Sequence, residues 1–371
     1  MEKSKVYYSD LRAKPGLNLL NKLERLIKKA GIENIDFKGK FAAIKIHFGE
    51  PGNLSFLRPN YAKVVADVVK ELGGTPFLTD CNTLYVGRRK NALDHIEAAY
   101  ENGFTPFSTG CQIIIADGLK GTDETLVPIN LNYIKEAKIG HALMDADVVI
   151  SLTHFKGHEC TGFGGALKNI GMGGGSRAGK MEMHSAGKPQ IDASKCKSCG
   201  ACIKICAHDA PSFDKNGKAH IDQSKCVGCG RCIGACNFNA VSTINDESND
   251  ILNAKIAEYT YAILKDRPHF HISLVIDVSP NCDCHAENDM PIIPDVGMFA
   301  SFDPVALDMA CVDAVNNQTA IESSHLGDQI RKNVKAQDNL CISHPDTNWK
   351  TCLEHAAKIG LGTMEYELIK V

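Results

Sequence analysis

Two runs of cysteine constrain this chain more than any other feature. Cys196, Cys199, Cys202 and Cys206 are spaced C-x2-C-x2-C-x3-C, and Cys226, Cys229, Cys232 and Cys236 repeat that spacing. A loop with two residues between cysteines can wrap three thiolates around one face of a metal centre, while the fourth starts a helix that points elsewhere. Gly200 and Gly230 fall where the backbone turns tightly and exposes N–H groups to sulfur. Gln190–Asp192 and His220–Asp222 precede the two runs at matching distances, so the segment reads as an internal repeat of about 30 residues. The chain has 16 cysteines, and its first residues, MEKSKVYYSDLRAK, carry no apolar signal sequence. Disulfides are therefore not expected, and metal or redox chemistry is. Two zinc knuckles are the alternative, but the doubled four-cysteine run fits zinc poorly.

The pattern resembles the bacterial two-cluster ferredoxins. The resemblance implies that Cys196, Cys199, Cys202 and Cys236 hold one [4Fe–4S] cluster, and that Cys226, Cys229, Cys232 and Cys206 hold a second. Such runs usually end in proline, whereas Ala207 and Asn237 follow here. That removes a rigid turn and no ligand.

The repeat is too small to be the whole of a 371-residue chain that is 44% hydrophobic. The flanks alternate between apolar strands and amphipathic helices. Phe41–Phe48, Pro76–Thr79, Gln112–Ala116, Asp147–Leu152 and His271–Val278 read as strands. Leu17–Ala30, Asn60–Leu72, Arg89–Asn102, Ile139–Met144, Ile251–Leu264 and Pro304–Val315 read as helices. This predicts an α/β fold, a mostly parallel sheet covered by helices, with an inserted small α+β ferredoxin-like domain. The expected boundaries are 1–187 and 244–371 for the two parts of the α/β domain and 188–243 for the insert. A net charge of −3 and 6% aromatic residues argue against a nucleic-acid partner. No run of about 18 apolar residues exists, so no membrane span is expected, and a cytoplasmic location is.

Polar residues collect just after predicted strands. His47, Gly49 and Glu50 follow one; Asp80, Cys81 and Asn82 the next; His154, Lys156, His158 and Cys160 a third; Asn281 to His285 a fourth. In open parallel sheets ligands bind beyond the carboxyl ends of strands, so these four groups predict one site. Cys282, Cys284 and His285 are candidate ligands for a soft metal, or a redox site. Cys81, Cys111, Cys311, Cys341 and Cys352 read as buried small hydrophobes. The glycine-rich stretch Gly162–Gly179 reads as a loop. Gly174–Lys180 has P-loop spacing, but Met181 replaces the required Ser or Thr and no strand leads directly into it. Its N–H groups could instead cradle an anion, with Lys168, Arg177 or Lys180 supplying charge.

HFGEPGN, FLTDCNTLY, THFKGHECTGFGGALKNIGMG, SRAGKMEMHS and PDVGMFASFDPVALD together resemble an iron–sulfur family called domain of unknown function 362. The resemblance implies an α/β domain, often with a two-cluster module. A second resemblance is to lactate-racemase-type enzymes carrying a nickel pincer nucleotide. By it, Lys168 is similar to the cofactor-tethering lysine, His158 to an active-site histidine ten residues earlier, and His184 to a metal-binding histidine sixteen later. Candidate catalytic residues are thus His158, Lys168 and His184, with His184 also a candidate metal ligand. The expected function is iron–sulfur oxidoreduction or electron transfer with a redox partner protein and a small anionic substrate. The alternatives are a plain electron carrier whose α/β part docks a partner, a nickel-pincer-like enzyme, or a flavin enzyme. Beside the two clusters, an additional metal ion or organic cofactor at the strand ends is a candidate.

Overall fold

The computed structural model describes residues 3–84, 87–184, 188–206, 208–226, 228, 231–243 and 248–371. Ala207, Cys229 and Gly230 of the cysteine repeat lie outside the described residues. The apolar runs become a sheet of eight strands: β1 (Ser4–Asp10), β2 (Phe41–Lys45), β3 (Thr75–Asp80), β4 (Gln112–Ile115), β5 (Val148–His154), β6 (His269–Val275), β7 (Gly297–Ser301) and β8 (Tyr366–Lys370). Their order in space is β8-β1-β7-β6-β5-β2-β3-β4. β7 is antiparallel to β1 and β6, and the other neighbouring pairs are parallel. The sheet draws strands from both sides of segment 188–243, and β5 from before it pairs with β6 from after it.

Side chains alternate across the sheet. On β5, Val148, Ile150 and Leu152 enter one buried cluster and Val149 enters the other. Helices α1 (Leu19–Lys29), α2 (Pro59–Glu71) and α3 (Ala92–Glu101) cover the first face. Helices α4 (Ala166–Gly174), α5 (Arg177–His184), α6 (Asn249–Leu264) and α7 (Pro304–Asn316) cover the second. Local sequence starts these helices where they stand. Asn18 and Asn21 form a reciprocal cap on α1, and Pro59 occupies the first turn of α2, where its missing N–H costs nothing.

Three expectations are corrected. Ile139 belongs to a strand, Glu136–Gly140, paired with Glu124–Pro128, and the helix begins at His141. Strand β1 and the antiparallel β7 were not foreseen, nor was β8. The glycine-rich stretch is not a loop: it forms a short strand, Gly162–Gly164, followed by α4 and α5. Its glycines are packing residues. A Cβ on Gly171 would strike the Ile256 carbonyl and Thr260 on α6. One on Gly173 would strike the Lys45 ammonium.

Within 188–243, Pro189–Ile191 pairs antiparallel with Val241–Thr243, and Pro211–Phe213 with Ala219–Ile221. Short helices Ala201–Ile205 and Arg231–Ala235 follow the cysteine loops. The two halves repeat hydrogen bonds. Asp192 N–H donates to Ala240 O and Asp222 N–H to Ala210 O, both at 2.8 Å. Cys196 N–H donates to Asp192 O and Cys226 N–H to Asp222 O, both at 3.1 Å.

Candidate functional site

Strands β2, β3, β5 and β6 run in the same direction, so their carboxyl ends share one edge. There the chain leaves a cleft that is partly open to solvent. His47, Asp80, Cys81, Lys156, His158, Cys282 and Cys284 line it from the strand ends, and Lys168, Lys180 and His184 from α4 and α5. All four polar groups singled out in the sequence meet here.

Buried ion pairs hold the cleft's frame. Lys45 pairs with Asp80 at 2.9 Å, Lys156 with Asp283 at 2.8 Å and Arg89 with Glu50 at 2.8 Å. Asn169 ties strand ends together: its Oδ1 accepts from Lys45 Nζ at 2.9 Å, and its Nδ2 donates to Lys45 O at 3.1 Å and Thr153 Oγ1 at 3.0 Å. Among the described residues, Lys168 and Lys180 have no carboxylate within ion-pair distance. Lys180 Nζ donates to the carbonyls of Gly175 at 2.6 Å and Gly173 at 3.2 Å. Lys168 Nζ lies 3.8 Å from Cys282 Sγ. Burial would lower the Lys168 pKa, but the neighbouring Cys282, Cys284 and Glu159 outweigh it and hold its ammonium above the ordinary value.

Cys282 heads a turn closed by the His285 N–H to Cys282 O bond at 3.0 Å. Asp283 points the other way and is fully buried, clamped by His154 Nδ1 at 3.0 Å and Lys156. Cys282 and Cys284 are left facing the cleft. A hydrogen bond from Cys284, then Lys168, His158 and His47, hold the Cys282 thiol well below its ordinary pKa against the pull of burial. His158 Nδ1 accepts the N–H groups of Cys160 at 3.0 Å and Thr161 at 3.2 Å, so in the neutral ring Nε2 carries the proton. Burial, helped by Lys168 and His158, lowers His184 to about 3, which makes it a neutral imidazole.

His285 does not line the cleft. It binds Glu159 at 3.1 Å and Glu287 at 3.2 Å. Among the described residues, His184, Cys282, Cys284 and His285 are not gathered into one donor set; His158, Glu159 and Cys160 are the group whose ligand atoms all lie within 4.8 Å of one another. Arg177 reaches the Lys90 carbonyl instead of the cleft. The N-terminus of α4 is closed to an anion, because Asp308 accepts the N–H groups of Ala166 at 2.7 Å and Leu167 at 2.9 Å. Of the cysteines read as core, Cys81, Cys111, Cys311 and Cys352 are buried, and Cys341 is half-buried. Cys81 also lines the cleft.

A second cavity lies in the cysteine repeat, lined by Cys196, Cys199, Cys202 and Cys236. These four come from both halves of the repeat. Ser198 N–H donates to Cys196 Sγ at 3.4 Å and Ala240 N–H to Cys236 Sγ at 3.3 Å. Backbone N–H groups of Ala219 and Ser198 lower the Cys196 pKa. Four thiols, of which Cys196 and Cys236 accept backbone N–H groups on sulfur, fit an iron–sulfur cluster by donor chemistry. Cys206 and Cys226 are half-buried and Cys232 is buried; Cys229, the remaining residue of that set, lies outside the described residues. Leu84 and Met181 share an apolar cluster with Cys196, Cys202 and Cys236, and they directly follow Thr83 and Lys180 of the cleft wall. Lys90 Nζ donates to Asn239 Oδ1 at 2.5 Å across the same contact.

The fold and cleft define an α/β protein with a mixed, mostly parallel sheet and a basic, thiol-bearing site at the strand ends. The chain belongs to the family described as Domain of unknown function (DUF362), which matches residues 42–313. Among solved structures it is similar to the lactate racemase apoprotein from Thermoanaerobacterium thermosaccharolyticum, with 15% identity and a TM-score of 0.38 over 73% of this chain and 51% of that one. It is also similar to a Thermotoga maritima protein solved by a structural genomics consortium, with 13% identity and a TM-score of 0.41 over 82% of this chain and 60% of that one. The match thus spans about half to three-fifths of those chains. No curated protein matches the chain. No helix among the described residues is long and apolar enough to cross a membrane.

Proposed function

We propose that this chain is an iron–sulfur oxidoreductase, with two [4Fe–4S] clusters in a ferredoxin-like insert at 188–243 serving the cleft at the strand ends. The observation that carries the reading is the meeting of Cys196, Cys199 and Cys202 with the distant Cys236 around one cavity. The apolar contact through Leu84 and Met181 supports a link between that cavity and the cleft. When bound, the clusters supply one-electron transfer to and from a redox partner protein. The chain's own residues do the rest. Lys168 and Lys180 bind and orient a small anionic substrate. His158, fixed through Nδ1, presents Nε2 for proton transfer. His184, a neutral imidazole, lines the same cleft.

Iron analysis on protein purified without oxygen tests this. About eight iron atoms per chain are expected. Cys199→Ser and Cys236→Ser should each remove the same cluster, leaving about four iron atoms and the same electron paramagnetic resonance signal. Zinc in place of iron, or loss of different clusters in the two variants, overturns the assignment. An extra nickel or zinc atom that disappears in His184→Ala would place a separate metal centre in the cleft.

A further inference from the structure

Three cleft cysteines lie outside the eight-cysteine repeat, Cys81 on a strand end and Cys282 and Cys284 together on one turn. Cys282 and Cys284 are two residues apart on a turn closed by an i to i+3 hydrogen bond. Even an extended chain separates such residues by only about 7 Å, and a turn brings them into the range a disulfide spans, about 4.4–6.8 Å between Cα atoms. The intervening Asp283 is locked beneath them by Lys156 and His154, so both cysteine side chains are turned to the cleft, which both line. Lys168 Nζ stands 3.8 Å from Cys282 Sγ, the kind of cationic neighbour that makes a thiol reactive. Lys180 lies in the same wall with only carbonyl partners among the described residues.

We propose that Cys282 and Cys284 are a dithiol–disulfide couple that exchanges with a small anionic disulfide bound between Lys168 and Lys180. Cys282 Sγ attacks one substrate sulfur, the substrate S–S bond breaks, and one thiol leaves. Cys284 Sγ then attacks Cys282 Sγ in the mixed disulfide, and the second thiol leaves. The substrate gains two electrons and two protons, and the protein keeps a Cys282–Cys284 disulfide, which an external dithiol reduces for the next cycle. This site is independent of the cluster ligands.

The iron-loaded chain, held without oxygen, is treated with oxidised glutathione or with cystamine, a cationic disulfide. It is then alkylated, digested and mapped by mass spectrometry. The peptide carrying both cysteines should lose both free thiols to an internal disulfide. Cys284→Ser should instead stop at a mixed disulfide on Cys282. Oxidised glutathione should react at least about tenfold faster than cystamine at low salt. Recovery of Cys282 and Cys284 as free thiols, a mixed disulfide that persists in the unmodified chain, or equal rates for the two probes overturns the proposal. Iron content measured on the same sample reports separately on the cluster reading.

Discussion

Lys45 ends a central strand with its side chain 1% exposed, and burial pulls its pKa down while Asp80 opposes the change. A lone buried ammonium would be untenable; Asp80 and Asn169 make it possible. The opposite case is His285, which pairs with Glu159 of the cleft lining. Glu159 raises it to about 9 from an ordinary 6.5, and His158 and His285 hold Glu159 down at about 2 against burial. The histidine's contribution to stability is complete below 6.5 and is lost as pH rises through about 9. The glutamate's is complete above 4.5 and is lost as pH falls through about 2. Proton NMR titration should therefore give His285 a midpoint near 9, and Glu159→Gln should return it most of the way to the ordinary value. An unchanged midpoint in the variant would remove Glu159 as the cause. At this scale, the residue types were legible after each strand, since His, Lys and Cys stand out in loops. Their partners were not. Lys45 meets Asn169 across 124 positions, and no local pattern reports such a pair. His285 shared the motif of Cys282 and Cys284, yet the turn sends it to Glu159.

The element that most departs from its sequence signal is α4. Its glycines disfavour a helix in isolation, and tertiary packing overrides them, because α6 comes too close for a side chain at Gly171. The start of α4 depends on a residue far along the chain. Asp308 on α7 takes the two N–H groups that a local cap would take, and burial raises its pKa to about 7 against those bonds. Asp308→Ala leaves two buried N–H groups without an acceptor, and urea unfolding should register a loss of about 2–4 kcal/mol. A loss below about 0.5 kcal/mol, the level of an ordinary surface change, would mean that the α4 start is held by packing alone. Central strands were legible for the converse reason. A parallel strand buried on both faces, such as β5, is a near-continuous apolar run. β1 and β8 mix exposed polar positions with apolar ones, and β7 is only GMFAS, so their place in the sheet comes from long-range pairing alone.

On the scale of the whole molecule, the cysteine segment is an excursion from the eight-stranded sheet. No strand of the eight comes from 188–243, and the excursion leaves and returns at neighbouring points, since Pro189 and Thr243 are register partners. Replacing 190–242 with a short Gly-Ser linker should therefore leave a folded α/β chain, because closing a short loop costs little entropy. Circular dichroism should retain the helix and strand signature and keep a cooperative thermal transition. The transition should move down, because Leu84 and Met181 lose their apolar cover, and Lys90 loses Asn239. The truncated chain should bind no iron, while Cys282 and Cys284 should still form their disulfide with oxidised glutathione. A chain that unfolds outright would make the segment a structural part of the α/β body, and the Leu84–Met181 contact its main anchor. A chain that folds but loses the disulfide reaction would make the segment a wall of the cleft, because α5, which carries Lys180 and His184, ends just before it.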